Sequence, residues 1–139
     1  MTDLRTFRTE APIRFQHCDP AGIAFFARLD ELLNAAFEDW CAAAGIPFAD
    51  LMGRDRRGFP LVHATLDYVA PLRMGDLASI TLRVADVGRS SVTFDVTMAR
   101  GETPCVRGRH VRVMTSLETH RAVALPAALR ATLDAGAAA

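Results

Sequence analysis

One carboxylate in a tight turn carries the clearest chemical signal in this sequence. Asp19 precedes Pro20, which fixes φ, and Gly22, which permits backbone conformations closed to other residues. The apolar segment 23–26 then leads into an amphipathic pattern. A carboxylate beside the free N–H groups of a helix start can act as nucleophile or base, while those N–H groups stabilise an oxyanion. The alternative is that Asp19 is only a turn residue.

Three further side chains with reactive chemistry need their own interpretation. His17 lies two residues before the carboxylate and is expected to orient the loop or to end a strand. Cys18 has no recognisable partner that would lower its pKa, so a small buried thiol is expected there. His63 shares a predicted strand face with Thr65 and Asp67, and it could contact substrate or position water if that strand passes the site of a neighbouring subunit. A hydrogen-bonded structural histidine is the alternative for His63.

The elements that must position these residues begin with a strand and a long helix. Alternating apolar and polar residues predict a strand over 10–17. Apolar residues then recur at i, i+3, i+4 and i+7 until Gly45 and Pro47, which predicts one long helix. Its apolar stripe consists of Leu29, Leu32, Leu33, Ala36, Phe37, Trp40 and Ala44. A stripe of this length needs a sheet or a partner helix to cover it.

The second half of the chain has the period-two pattern of strands. Residues 46–60 are predicted to be a polar loop. The chain is predicted to end in a short helix over 126–134 and a frayed tail over 135–139. Between them, turn signals separate four predicted antiparallel strands, at 61–70, 77–86, 90–99 and 105–116.

This element order predicts a single α+β domain over 1–139. One long central helix wrapped by a curved antiparallel sheet of about five strands is the hotdog fold. The edge strands of such a sheet are expected to pair with a second subunit, which removes an exposed edge.

Composition excludes several classes of function. The 139 residues hold 16 basic and 16 acidic side chains, so no net charge favours nucleic acid or an anionic membrane. No apolar run reaches the roughly 18–20 residues of a membrane span, and the start of the chain lacks the apolar core of a secretory signal. The three cysteines, Cys18, Cys41 and Cys105, show neither a disulfide nor a zinc spacing. A cytoplasmic protein without a metal is expected.

Several segments together resemble the 4-hydroxybenzoyl-CoA thioesterase family of hotdog proteins. They are Cys18-Asp19-Pro20-Ala21-Gly22-Ile23, Gly58-Phe59-Pro60, Tyr68-Val69-Ala70-Pro71-Leu72 and Gly75-Asp76-Leu77. The resemblance implies that the Asp19 carboxylate attacks a thioester carbonyl or activates a water to do so. It also implies that the backbone N–H of Phe26 polarises that carbonyl.

Substrate-binding residues are assigned more loosely. Gly22, Phe25, Phe59 and His63 are candidates for the acyl site, with core packing as the alternative for the phenylalanines. Arg89, Ser90 and Ser91 resemble the region that holds the nucleotide end of coenzyme A, and an Arg suits a phosphate.

Other arginines are expected to be solvated. Arg54, Arg56 and Arg57 form a second basic cluster, most simply in an exposed loop. Arg107, Arg109 and the offset Arg112 are expected on the solvent face of a strand.

The function predicted from these features is hydrolysis of an aryl- or short- to medium-chain acyl-CoA, with a 4-hydroxybenzoyl-CoA-like substrate favoured. The enzyme would be a homodimer or homotetramer and would need no cofactor, since coenzyme A is part of the substrate. Two alternatives stay open because one fold hosts many functions. The first is a hotdog β-hydroxyacyl dehydratase that uses His63, and the second is a non-catalytic acyl-CoA binding protein.

Overall fold

The structure, a computed structural model, describes residues 3–137. The helices are α1 (Phe26–Ala43), α2 (Phe48–Gly53) and α3 (Ala127–Ala137). The strands are β1 (Thr6–Pro12), β2 (Arg57–Gly58), β3 (Leu61–Tyr68), β4 (Leu77–Val87), β5 (Ser91–Arg100), β6 (Thr103–Val113) and β7 (Thr115–Ser116).

A five-stranded antiparallel sheet holds the long helix α1. Its strand order is β1-β4-β5-β6-β3, so β1 and β3 are the edges, while β2 and β7 form a separate two-stranded pair. The buried face of α1 packs against β1 and β4 and carries five of the seven predicted stripe residues, Leu29, Leu33, Ala36, Phe37 and Trp40. Leu32 is half-buried, and Ala44 follows the last residue of the helix. The α+β hotdog architecture predicted from the sequence is therefore confirmed.

An aromatic cluster forms the centre of the core. The Phe37 ring stacks on Trp40 at 5.9 Å between centroids, and Phe94 meets both rings edge-on. The indole Nε1–H of the fully buried Trp40 donates a 2.8 Å hydrogen bond to the Leu4 carbonyl. Because a buried indole N–H needs an acceptor, this bond fixes the chain just before β1 against the helix.

The strand predicted over 10–17 is wrong in its position. β1 ends at Pro12, and Phe15–His17 form one turn of 3-10 helix in which Phe15 is 81% exposed. The His17 N–H donates to the Arg14 carbonyl, and the Arg14 N–H donates to His17 Nδ1 at 2.8 Å. These local bonds replace ladder bonds, so the apolar alternation in this segment does not mark a sheet face.

The predicted loop 46–60 contains regular structure. α2 and β2 both lie within it, and Leu51 of α2 is buried in the core. Six residues are too few for a periodic pattern to mark a helix. The last predicted strand ends at Val113 and is followed by β7, while α3 continues through Ala137, so 135–137 are helical and 138–139 lie outside the described residues.

Candidate active site

The segment between Cys18 and Ala24 folds into a small closed loop. The Asp19 N–H donates to the Ile23 carbonyl at 3.0 Å, and the Gly22 N–H donates to the Asp19 carbonyl at 2.9 Å. Gly22 has a φ of 79°, a left-handed conformation that glycine adopts without steric cost. An isolated antiparallel β-bridge between the backbones of Cys18 and Ala24 closes the loop. The backbone of Asp19 is thus held from both sides.

The Asp19 carboxylate is half-buried and oriented by one local bond. Its Oδ1 accepts the N–H of Ala21 at 2.9 Å, which is an Asx turn. Among residues 3–137, no group donates to Oδ2. One oxygen is therefore anchored, and the other is available to a water or a substrate.

The start of α1 lies beside this loop and presents an unused donor. The Phe25 N–H donates to the His17 carbonyl at 2.8 Å, and Phe25 caps the helix with extended angles. Within the described chain, the N–H of Phe26 reaches no acceptor. The first N–H groups of a helix carry the positive end of its dipole. The Phe26 N–H can therefore stabilise negative charge on a bound carbonyl oxygen.

An apolar cavity of about 320 Å³ adjoins the loop and the helix start. The lining residues are Ile23, Ala24, Phe26, Leu29, Tyr68, Val69, Ala70, Pro71 and Leu72. Phe26 and Tyr68 meet edge to face with centroids 6.3 Å apart. The cavity has the size and lining of a small ligand site.

Tyr68 is a cavity residue that the sequence interpretation did not assign to the site. Its hydroxyl lies 3.1 Å from Asp30 Oδ1 and donates to it. Burial and the neighbouring Asp30 carboxylate both raise the pKa of Tyr68, so it remains a neutral donor. The available signal was that this is the one tyrosine of the chain and lies in a segment resembling the family.

The four predicted acyl-site residues do not converge within one chain. Gly22 and Phe25 lie in the loop and at the helix cap. Phe59 is 3% exposed and packs edge-on against Phe37 at 5.3 Å. His63 is exposed on β3, paired with Val111. Only the first two of these four lie beside Asp19.

Arg89, Ser90 and Ser91 lie at the turn from β4 to β5. The Arg89 side chain is exposed, and its NH1 lies 3.4 Å from Ser90 Oγ. The half-buried Arg130 of α3 donates to the Gly88 carbonyl in the same turn. The turn thus holds an exposed guanidinium and a hydroxyl, with a second guanidinium bonded to its backbone.

The residues before Asp19 have local structural contacts. His17 Nδ1 accepts the Arg14 N–H, so the loop-orienting role is the one that this geometry supports. The buried thiol expected at Cys18 is wrong, because Cys18 is half-buried in the loop, with its Sγ 3.5 Å from the Arg14 carbonyl. Neither side chain makes a hydrogen bond to the Asp19 carboxylate.

The expectation that Arg112 lies on the solvent face is wrong. Arg112 is only 6% exposed, and its guanidinium carbon lies 4.0 Å above the centre of the Phe37 ring. Arg107 and Arg109 are exposed as predicted. The offset of Arg112 from those two residues turns it to the helix side of β6, where its stem is covered by the core.

Two negative findings apply to residues 3–137. They contain no group of three or more His, Cys, Asp or Glu side chains arranged to bind a metal ion. No helix in this range has the length and apolarity needed to cross a membrane.

Known proteins resemble this chain in sequence and fold. Residues 13–133 match the family described as the thioesterase-like superfamily. A 1,4-dihydroxy-2-naphthoyl-CoA hydrolase of Nostoc punctiforme is 30% identical over 113 residues, which cover 80% of this chain and 76% of that protein. The enzyme class predicted from the sequence, thioester hydrolase, is confirmed by relatives of this kind.

Solved structures agree with the fold. A 1,4-dihydroxy-2-naphthoyl-CoA thioesterase from Synechocystis superposes with a TM-score of 0.84 at 21% identity, covering 93% of this chain and 96% of that one. A mutant 4-hydroxybenzoyl-CoA thioesterase bound to 4-hydroxybenzoyl-CoA superposes with a TM-score of 0.82 at 21% identity, covering 92% and 98%. At that identity the likeness establishes the fold alone. The sequence match over 13–133 establishes more, and the chain belongs to the thioesterase-like superfamily.

Proposed function

We propose that this protein hydrolyses aryl-CoA thioesters, with Asp19 as the reacting carboxylate and the Phe26 N–H as the oxyanion donor. The observation that carries the proposal is the juxtaposition of three features. They are the half-buried Asp19 carboxylate, the unused N–H at the start of α1, and the apolar cavity between Phe26 and Tyr68. Each supplies a different part of acyl transfer.

The carboxylate acts on the thioester carbon. With Oδ1 held by the Ala21 N–H, Oδ2 either takes a proton from a water or attacks the carbonyl itself. In the first route the water oxygen adds to the carbon and coenzyme A leaves as the thiol. In the second route a mixed anhydride with Asp19 forms as the coenzyme A thiolate leaves and takes a proton from solvent, and water then hydrolyses the anhydride.

The helix start stabilises the developing negative charge. As the tetrahedral intermediate forms, its oxygen accepts the Phe26 N–H and lies at the positive end of α1. A single donor of this kind is worth about 3–4 kcal/mol of transition-state stabilisation.

A second copy of the chain completes the site in this proposal. β3 is an edge strand in which every residue but Leu66 is exposed, and exposed apolar side chains continue beyond it at Val69. An uncovered edge of this kind favours antiparallel pairing with its own copy. Such pairing would bring His63 of each copy to the interface. A native mass equal to a single chain in sedimentation analysis would contradict this assembly.

The aryl preference is supported by the cavity and by the relatives. Aromatic rings favour edge-to-face packing, which Phe26 and Tyr68 already offer. Hydrolases of a hydroxynaphthoyl-CoA are among the relatives of this chain, so 1,4-dihydroxy-2-naphthoyl-CoA joins 4-hydroxybenzoyl-CoA as a substrate to test. Arg89, Ser90 and Ser91 are proposed to hold the phosphates of coenzyme A, with Arg130 beside them.

A thiol-release assay over aryl, short-chain and medium-chain acyl-CoAs tests the proposal. The Asp19→Asn variant should lose about 100- to 10,000-fold in kcat on the best substrate, because the amide is neither base nor nucleophile. Asp86→Asn, at an exposed position of β4, is the matched control and should retain activity. Wild-type kcat in Asp19→Asn, or loss of water from a hydroxyacyl-CoA without thiol release, would refute the proposal.

A single turnover in ¹⁸O-labelled water separates the two routes. Direct attack by water places the label in the first molecule of acid. Attack of water on the aspartyl carbon of an anhydride places the label first in Asp19, which mass spectrometry of the peptide detects.

A further inference from the structure

We propose that a second cavity, the Arg112 pocket, binds a small organic carboxylate with an apolar body. The Arg112 pocket has a volume of about 330 Å³, and its lining is mainly apolar. Its walls are Phe48, Met52, Gly58, Phe59, Pro60, Arg112, Thr115, Leu117 and His120. It lies between α2, the start of β3 and the segment after β6.

Arg112 is a buried cation without an acid partner among the described residues. Its NH1 donates to the Phe59 carbonyl at 3.4 Å, and its NH2 donates to Asn34 Oδ1 at 3.3 Å. Both acceptors are neutral. Its Nε–H is buried and reaches no acceptor in residues 3–137. A guanidinium has five N–H donors and stays charged in proteins, so hydrogen-bonding capacity and positive charge are both left unsatisfied.

The surroundings compensate this charge only in part. The Phe37 ring face lies 4.0 Å away and attracts the cation. The nearest acid in the network, Glu38, accepts the amide of Asn34 at 2.8 Å and reaches Arg112 only through that amide. Burying a charge without a direct counter-ion is costly. An anion in the pocket would supply that counter-ion.

The walls indicate which anion fits. Phe48, Phe59, Pro60 and Leu117 offer apolar surface, and one guanidinium offers a planar fork that matches a carboxylate. A monocarboxylate whose apolar body contacts the aromatic walls matches both the charge and the surface, and the volume suits a bicyclic acid.

The Arg112 pocket is separate from the thioester site of the same chain. Phe37, which lies under the guanidinium, is eleven residues after Phe26 on α1, or roughly 16 Å along the helix axis. None of the pocket's lining residues also lines the cavity beside Asp19. A ligand could therefore occupy the Arg112 pocket without contacting the Asp19 carboxylate.

Calorimetric titration with 1-naphthoate and its neutral counterpart 1-naphthylmethanol tests the proposal. The wild-type protein should bind the carboxylate at least about tenfold more tightly than the alcohol, as expected for a charge-assisted pair. Arg112→Met should lose at least about tenfold in affinity for the carboxylate. Arg107→Met makes the same change at an exposed position of the same strand and should bind as the wild type does.

Thermal unfolding shows whether each variant is folded and whether the ligand stabilises it. Removing an unpaired buried charge should leave the Tm of Arg112→Met close to that of the wild type or above it, and 1-naphthoate should raise the Tm of the wild type more than that of Arg112→Met. If Arg112→Met does not fold, Arg112→Lys keeps the charge without the fork and should still bind more weakly. No binding at about 1 mM carboxylate, equal binding of the alcohol, or equal losses in the Arg107 and Arg112 variants would overturn the proposal.

Discussion

The backbone N–H of Phe25 donates a 2.8 Å hydrogen bond to the backbone carbonyl of His17. This bond joins the residue that caps α1 to the residue two positions before Asp19. The Asp19 carboxylate, which we propose to react, and the first free N–H groups of the helix are consequently held in one small unit. Since both partners are backbone atoms, the link does not depend on the imidazole of His17.

Phe26→Pro should test the backbone N–H that we propose as the oxyanion donor. Proline removes the N–H but is favoured at the first position of a helix, and the extended angles of Phe25 already suit a residue before proline. We expect kcat for thioester hydrolysis to fall about 100- to 1,000-fold with little change in Tm. Phe26→Leu removes the ring and keeps the N–H, so its kcat should stay well above that of Phe26→Pro. Equal kcat in the two variants would show that the ring matters rather than the donor.

Thiol reactivity should distinguish Cys18 from the other two cysteines. Cys41 and Cys105 are fully buried, and burial raises the pKa of the Cys41 thiol to about 12. A thiol reagent at pH 8 should therefore modify one cysteine per native chain quickly and all three only after unfolding. Cys18→Ser should abolish the fast phase and leave thioester hydrolysis intact. Three equally fast thiols in the native protein would contradict this burial.

His110 should make stability depend on pH. Burial lowers the pKa of His110 below its ordinary 6.5, and the charge of Arg112 acts in the same direction against the opposing effect of Asp30. The unfolded chain therefore takes up a proton below about pH 6.5 that the native state resists. The contribution of neutral His110 to the free energy of unfolding is therefore fully present above pH 6.5. It is lost as the pH falls from 6.5 through the lowered pKa of His110.

Thermal unfolding at several pH values between 8 and 5 measures this contribution. Wild-type Tm should fall over this range, and the fall should be smaller in His110→Leu, which has no group to protonate. Parallel Tm curves for the two proteins would rule out the contribution.

Gly108→Ala should destabilise the pairing of β3 with β6. A Cβ at Gly108 would overlap the backbone carbonyl of Thr65, which cannot move without shifting β3. We expect a loss of about 1–3 kcal/mol in the free energy of unfolding, measured with urea. Gly53→Ala, where a Cβ meets no atom within 4 Å, is the control and should change stability little. An equally small effect of both substitutions would contradict the close approach of β3 to β6 at Gly108.

The features that could be predicted from the sequence are those that depend on residues close together in the chain. The turn around Asp19 needs only Pro20 and Gly22, and the stripe of α1 follows from its own spacing, so both could be identified before any contact was known. Period-two alternation placed β3 to β6 within a few residues for the same reason. The enzyme class followed from segments that resemble a family, because such motifs keep the order of the elements along with the chemistry.

Tertiary structure decided the rest, because those properties depend on atoms distant in the sequence. The alternation around Phe15 looked like a strand until backbone bonds within 14–17 closed a turn. Arg112 was expected to be solvated, but β6 lies against α1 and the Arg112 guanidinium packs over the Phe37 ring. The start of α1 likewise lies beside the Asp19 loop because the Phe25 N–H is bonded to the His17 carbonyl. The sequence by itself determined which groups could react and which faces are apolar. Only the tertiary packing decided which hydrogen-bond donors stay unpaired, since that depends on whether an acceptor distant in the sequence lies within reach of each donor.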